Sequence, residues 1–173
     1  MVRYRRRYTA NPVFLTVVTA GRARWLDQPA ALSAYSESFE STLHHYEWKW
    51  VAWVLLPNHL HWMIVPSDQS RTNEAYSRIV GAFKAAVTRR LGPREDGAPR
   101  WQSHFWEHTI RDDVDQKRHF DYIHFNPVKH RYVRHPGAWP HSSFHHYVEH
   151  GWYPREEISA VELNVPGGEM DVD

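Results

Sequence analysis

Residues 48–65, "WKWVAWVLLPNHLHWMIV", constrain the chain more than any other stretch. Two runs of aromatic, aliphatic and β-branched residues are separated only by Pro57-Asn58. Such runs read as strands, and a Pro-Asn pair reads as a tight connector. So short a link cannot carry the chain back for a parallel pairing, which needs a long crossover. The runs 48–56 and 59–65 are therefore expected to be antiparallel neighbours.

The flanks extend this hairpin in both directions. Upstream, 13–19 ("VFLTVVT") predicts a buried strand. A loop over 21–27 follows, then Pro29 at a helix start and a helix over 31–46. Downstream, polar residues 66–73 lead to a helix over 74–91. A Gly- and Pro-rich loop over 92–100 and a strand over 104–111 ("HFWEHTIR") come next. The order is β-α-β-β-α-β, which predicts an α+β, ferredoxin-like split βαβ sandwich on an antiparallel sheet of four to five strands. Right-handed crossovers place both helices on one face of that sheet. A further helix over 114–125, capped by Asp112 and Asp113 and ended by Asn126-Pro127, is left to cover the other face.

Composition limits what this fold can do. A length of 173 residues suits one domain, expected over 1–154. The chain has no Cys, so thiolate metal sites and disulfides are excluded. It has 14 His, however, so imidazole ligands are plentiful. No signal peptide is legible, and no apolar run approaches the ~20 residues of a membrane span. A cytoplasmic location is expected. Net charge is only +1, but residues 155–173 carry one Arg and six acids, leaving +6 on the rest. That tail is expected to be flexible. A basic body interleaved with aromatics suits a polyanion. The arm at the start fits this best: Arg3, Arg5, Arg6 and Arg7 suit phosphates, and Tyr4 and Tyr8 suit unpaired bases.

Chemistry enters at "PNHLHW". Residues i and i+2 of a strand share a face, so His59 and His61 point the same way, roughly 6.6–6.8 Å apart along the backbone. Leu60, Trp62 and Ile64 point oppositely and suit the two crossover helices. The pair should then face the open side, under the third helix. By itself, His-x-His admits two readings: two ligands of one metal, or two hydrogen-bonded strand residues. The third helix adds Tyr122 and Asn126, four residues apart and so on one helix face. A phenol, an amide and two imidazoles can then meet in one cleft. Tyrosine can attack phosphorus to form a phosphotyrosine ester, and a divalent ion assists by drawing charge from the phosphate oxygens.

These residues also resemble a known family. "PNHLHWMIV" resembles the His-hydrophobe-His (HUH) motif of the single-tyrosine HUH transposases. "WQSHFWEHTIR", "YIHFNPVKH" and "AWPHSSF" resemble, in the same order, stretches of their subgroup of REP-associated tyrosine transposases. The resemblance runs from about Tyr4 to Tyr153; one departure is Asn11-Pro12, where many relatives carry a glycine pair. It implies a single-stranded DNA endonuclease and strand-transferase acting on palindromic REP hairpins through a 5′-phosphotyrosine. It implies Tyr122 as nucleophile, His59 and His61 as metal ligands, and Asn126 as the third ligand. The expected cofactor is a divalent ion, Mg²⁺ or Mn²⁺; imidazole ligands suit Mn²⁺, Zn²⁺ or Ni²⁺ better than Mg²⁺, which prefers oxygen. Lys84, Arg111, Lys129, His130 and Arg131 are expected DNA contacts, and a monomer is expected. Two alternatives are a non-catalytic single-stranded nucleic-acid-binding domain and a nickase of the HUH replication-initiator or relaxase type.

Overall fold

The structure is a computed structural model that describes residues 11–67 and 76–153. The arm with Arg3, Arg5, Arg6, Arg7 and Tyr8, the first residues of the helix expected from 74, and the acidic tail lie outside the described residues. The chain runs β1 (Val13–Val18), α1 (Pro29–Tyr46), β2 (Trp48–Leu55), β3 (His59–Pro66), α2 (Tyr76–Leu91), β4 (Trp106–Thr109), α3 (Asp113–Lys129) and α4 (Phe144–Glu149). Two short 3₁₀ turns lie at Ala20–Arg22 and Pro136–Ala138.

The sheet has four strands in the order β2-β3-β1-β4, and every neighbouring pair is antiparallel. This is the expected split βαβ arrangement. Expected β4 shrinks from eight residues to four. Before it, Trp101 makes an isolated bridge with Thr19, outside the expected strand.

The two sheet faces bury different cores. Val13, Leu15, Val17, Leu60, Trp62 and Ile64 pack with Tyr35 and Phe39 of α1 and Ile79 and Phe83 of α2. Phe14 and Met63 point the other way and pack with Phe120, Tyr122 and Ile123 of α3. In β2 the pairing shifts between Trp50 and Ala52, a bulge that bends the strand locally. The exposed edge of β2 is covered by residues 141–143: Leu55 N–H donates to His141 O, and Ser143 N–H donates to Trp53 O. Covering an edge removes a site for strand pairing with another chain. That role accounts for the "AWPHSSF" stretch.

The third helix does not stop at Asn126-Pro127. It continues to Lys129 with Pro127 inside it. Proline lacks an N–H and disturbs the turn before it, but here it falls in the last turn, where only one intrahelical bond is forfeited. His130 N–H still closes on Asn126 O, and Tyr132 N–H on Pro127 O. Asn126 is therefore helical and shares a face with Tyr122, and Lys129 lies one turn further on.

His124 anchors α3 to the C-terminal segment. Its Nδ1 bonds Tyr153 Oη and its Nε2 bonds Ser143 Oγ, each at 2.8 Å. Burial lowers its pKa to about 3. The unfolded chain binds a proton there below about 6.5, whereas the folded chain does not. The neutral histidine therefore favours the fold at neutral pH, and the advantage is lost as pH falls from about 6.5 towards 3 at ~1.4 kcal/mol per unit. Denaturant titrations between pH 7 and 4 should show this slope in the native chain and a shallower one in His124→Gln.

Candidate active site

The site begins with strand register. Thr16 of β1 lies opposite both His61 of β3 and Trp106 of β4, so all three side chains share the α3 face. Phe14 lies opposite Met63 and His108, forming the next row on that face. His59 and His61 are both buried, with ring centroids 5.0 Å apart. Each is held through Nδ1. Asn58 Oδ1, which can only accept, lies 2.7 Å from His59 Nδ1, so that nitrogen carries the proton and Nε2 is the basic one. Thr16 Oγ1 lies 2.9 Å from His61 Nδ1 and engages that ring nitrogen, so Nε2 is the nitrogen left to the cleft. Fixing one ring nitrogen to orient the other is how proteins prepare imidazole for metal ligation. Asn58 and Thr16 were not legible as site residues. The first immediately precedes the pair and the second lies 45 positions away.

Tyr122 arrives on α3 from above. Its ring is 5.1 Å from that of His61 and 5.9 Å from Phe14. Lys129 Nζ stands 5.0 Å over the Tyr122 ring, a cation–π distance. The His130 ring is 5.0 Å from His59. Four expected site residues thus gather around His59 and His61 or their near neighbours: Tyr122, Lys129, His130 and, by helix face, Asn126. Burial holds His61 well below the usual imidazole range, and electrostatic coupling to the neighbouring His59, His130 and Lys129 acts in the same direction. Its imidazole is neutral at physiological pH, the form that can ligate a metal.

Polar atoms in this cleft are left over. His61 Nε2 and both amide atoms of Asn126 are buried and find no hydrogen-bond partner among the described residues. A buried polar group without a partner costs about 1–3 kcal/mol, so an apolar cleft would be more stable. Unmet imidazole and amide groups between one helix and one strand fit a cation, because two neutral imidazoles and an amide oxygen are metal donors.

A second cluster lies one turn up α3. Donor atoms of His108, Asp115 and His119 all fall within 4.8 Å of one another. Such a group is consistent with a divalent metal. Its geometry is nonetheless that of a hydrogen-bond network. Asp115 Oδ2 takes His108 Nε2 at 2.8 Å, Arg111 N–H at 3.0 Å and Arg111 Nε at 3.2 Å. Burial raises the Asp115 pKa, but His108 and both Arg111 donors more than offset it and hold the carboxyl at about 2. The His108 and His119 rings stack at 4.6 Å and 11°, so their lone pairs lie in nearly parallel, separate planes, which disfavours convergence on one ion.

Other expected DNA contacts are placed elsewhere. Arg111 commits its guanidinium to Asp115, although the side chain remains largely exposed. Lys84 lies on α2, across the sheet from Tyr122, and donates to Gln102 O and His104 O. Burial lowers its pKa. Arg131 is exposed just past α3 with a left-handed φ of 59°. Trp101 joins the α1–α2 core, while Trp139 stacks on Tyr132 and donates to Leu55 O.

Comparison with known proteins agrees with this geometry. The family model described as IS200-like transposase matches residues 11–124. A provisionally named REP-associated tyrosine transposase of Haemophilus influenzae is 33% identical over 96% of this chain and 99% of its own length. The REP-associated tyrosine transposase of Escherichia coli K12 is 39% identical over 60% of this chain and 58% of its own. A solved REP-associated tyrosine transposase bound to a REP hairpin superposes with a TM-score of 0.75, at 30% identity and over the full length of both chains. The chain belongs to the IS200-like transposase family, within its REP-associated tyrosine group.

Proposed function

We propose that this transposase cuts and rejoins single-stranded DNA at palindromic REP hairpins through a covalent 5′-phosphotyrosine on Tyr122. The observation that carries this reading is the meeting of the Tyr122 ring with the His59/His61 pair in one buried cleft. Binding alone has no need of a buried phenol beside oriented imidazoles. His59, His61 and Asn126 would hold a divalent ion, Mg²⁺ or Mn²⁺; the unmet His61 Nε2 and Asn126 amide support that assignment. When bound, the ion would draw charge from the non-bridging phosphate oxygens.

The chain's own residues do the rest. The Tyr122 oxygen attacks phosphorus, the bond to the 3′-oxygen breaks, and a free 3′-OH is released. The ester conserves the energy of the broken bond, so a 3′-OH can later reverse the step. Lys129 and Arg131 follow the nucleophile and supply positive charge for the phosphates on either side of it, and His130 would add a hydrogen-bonding contact. Arg3, Arg5, Arg6, Arg7 and Tyr8 would grip the hairpin, and Lys84 and Arg111 would serve at the periphery. The solved relative of similar fold is bound to a REP hairpin, which supports the same partner here. Among the described residues no helix is long and apolar enough to cross a membrane; as an enzyme acting on DNA, it is expected to work in the cytoplasm. With α3 seated on its own sheet, the monomer is proposed as the active form.

Labelled hairpin DNA with Mn²⁺ should give a covalent adduct that is absent in Tyr122→Phe and abolished by chelator. An adduct of undiminished yield in Tyr122→Phe would remove the nucleophile assignment. His59→Ala should bind hairpin but not cleave it. Thr16→Val and Asn58→Ala, which release the two Nδ1 atoms, should weaken Mn²⁺ binding by about 10–100-fold in calorimetric titration.

A further inference from the structure

One buried, oriented imidazole on the nucleophile's helix face has no part in the scheme above. His119 is 4% exposed and lies one turn before Tyr122. Positions 115, 119, 122 and 126 recur at helical spacing, so Asp115, His119, Tyr122 and Asn126 form one stripe facing the sheet. His119 Nδ1 lies 2.9 Å from the main-chain carbonyl of Asp115 and 3.2 Å from Asp115 Oδ1. Both are acceptors, so the proton sits on Nδ1 and the basic lone pair on Nε2. His119 makes no hydrogen bond through Nε2 among the described residues. Its ring, the His61 ring and the Tyr122 ring all pack around Phe14, at 4.9, 5.4 and 5.9 Å. A base oriented by a carboxylate, one helical turn from a hydroxyl nucleophile and packed on the same phenyl ring, is an arrangement that can activate a weak nucleophile.

We propose that Asp115 and His119 form a dyad that accepts the phenolic proton of Tyr122. The inference rests on the reading of Tyr122 as nucleophile. His119 Nε2 takes the proton, directly or through one water, as the Tyr122 oxygen bonds to phosphorus. The phosphorus–3′-oxygen bond breaks, and the 3′-oxygen takes a proton from solvent. The imidazolium, steadied by Asp115, returns its own proton to solvent, so proton and electron pairs balance. An unperturbed phenol has a pKa near ~10, so it is almost wholly protonated at neutral pH; a local base removes that handicap. Burial, with His108 and Arg111, lowers the His119 pKa, while both groups of Asp115 raise it. The neutral, proton-accepting form therefore prevails at physiological pH. The titratable groups facing it are Asp115 on its own helix, His108 on β4, Arg111 on the link between them, and His61 on β3.

The test is single-turnover adduct formation on single-stranded hairpin DNA with Mn²⁺, followed across pH 5–10. His119→Asn keeps a donor where Nδ1 stands and removes the acceptor at Nε2. Its adduct should form about 10²–10⁴-fold more slowly near pH 7. The rate should then climb with pH towards the phenol's own ionisation, with hairpin affinity and Mn²⁺ affinity unchanged. Asp115→Asn removes the charge that raises the His119 pKa and should move the rising limb of the profile to lower pH. His119→Asn cleaving within about threefold of the native chain, or losing Mn²⁺ or hairpin binding in step with cleavage, would overturn the dyad. If His119→Asn does not fold, the Asp115→Asn profile decides: a shifted limb supports the dyad and an unmoved limb overturns it. A native chain that binds hairpin but forms no adduct refutes the nucleophile itself, and the dyad with it.

Discussion

The antiparallel register between β1 and β3 is the constraint on which the site depends. It sets Thr16 opposite His61 and Val18 opposite His59. Side chains alternate along a strand, so a slip of one residue would turn both histidines into the α1–α2 core and bring Leu60 and Trp62 out beneath α3. The apolar partition prevents that slip. Trp62 is fully buried and packs its ring 4.5 Å from Phe83 and 4.8 Å from Phe39. Large aromatic burial is worth several times a single hydrogen bond. The face opposite the histidines therefore holds the register, and the polar face inherits its geometry from it.

That partition explains what could be read from the amino-acid order. Leu60, Trp62 and Ile64 alternate with His59 and His61, and local alternation reports a face directly. The βαββαβ order reports topology, because each connection allows few routes. Tyr122 and Asn126 show their common face by spacing alone. Illegible features depend on pairing between distant segments. Thr16 is an ordinary β-branched residue until the register sets it on His61 Nδ1. His119 and Asp115 look like surface residues of a polar helix until β4 supplies His108 beneath them. Pro127 read as a helix end because its local cost is real; the packing of α3 across the sheet overrides that cost in the final turn.

Electrostatically the cleft is basic without being charged at its centre. His61 is neutral through burial, and Lys129 and His130 stand at its rim, further disfavouring a proton there. Such a site attracts an anion to the rim and presents unprotonated nitrogen within. The same burial that keeps His61 neutral would be wasteful in a binding domain, which gains more from exposed cations than from desolvated imidazoles. Arg111 shows the contrast. Its charge is used on Asp115, so at this end of α3 the guanidinium serves the helix position before any phosphate.

Asp115 ties the start of α3 to β4 through His108 and to the preceding link through Arg111, while the Asp112 side chain accepts the Asp115 N–H at 2.8 Å. Only residues 110–112 separate β4 from α3. A helix so closely tied at its first turn has little freedom to leave its own sheet. The carboxylate that fixes the helix also contacts the imidazole one turn before Tyr122. In the proposed dyad, the position of Tyr122 and the transfer of its proton thus depend on one side chain. Loss of Asp115 would loosen the helix and weaken the base together, whereas loss of His119 Nε2 alone would leave the helix seated. Those two substitutions therefore separate a role in placement from a role in proton transfer.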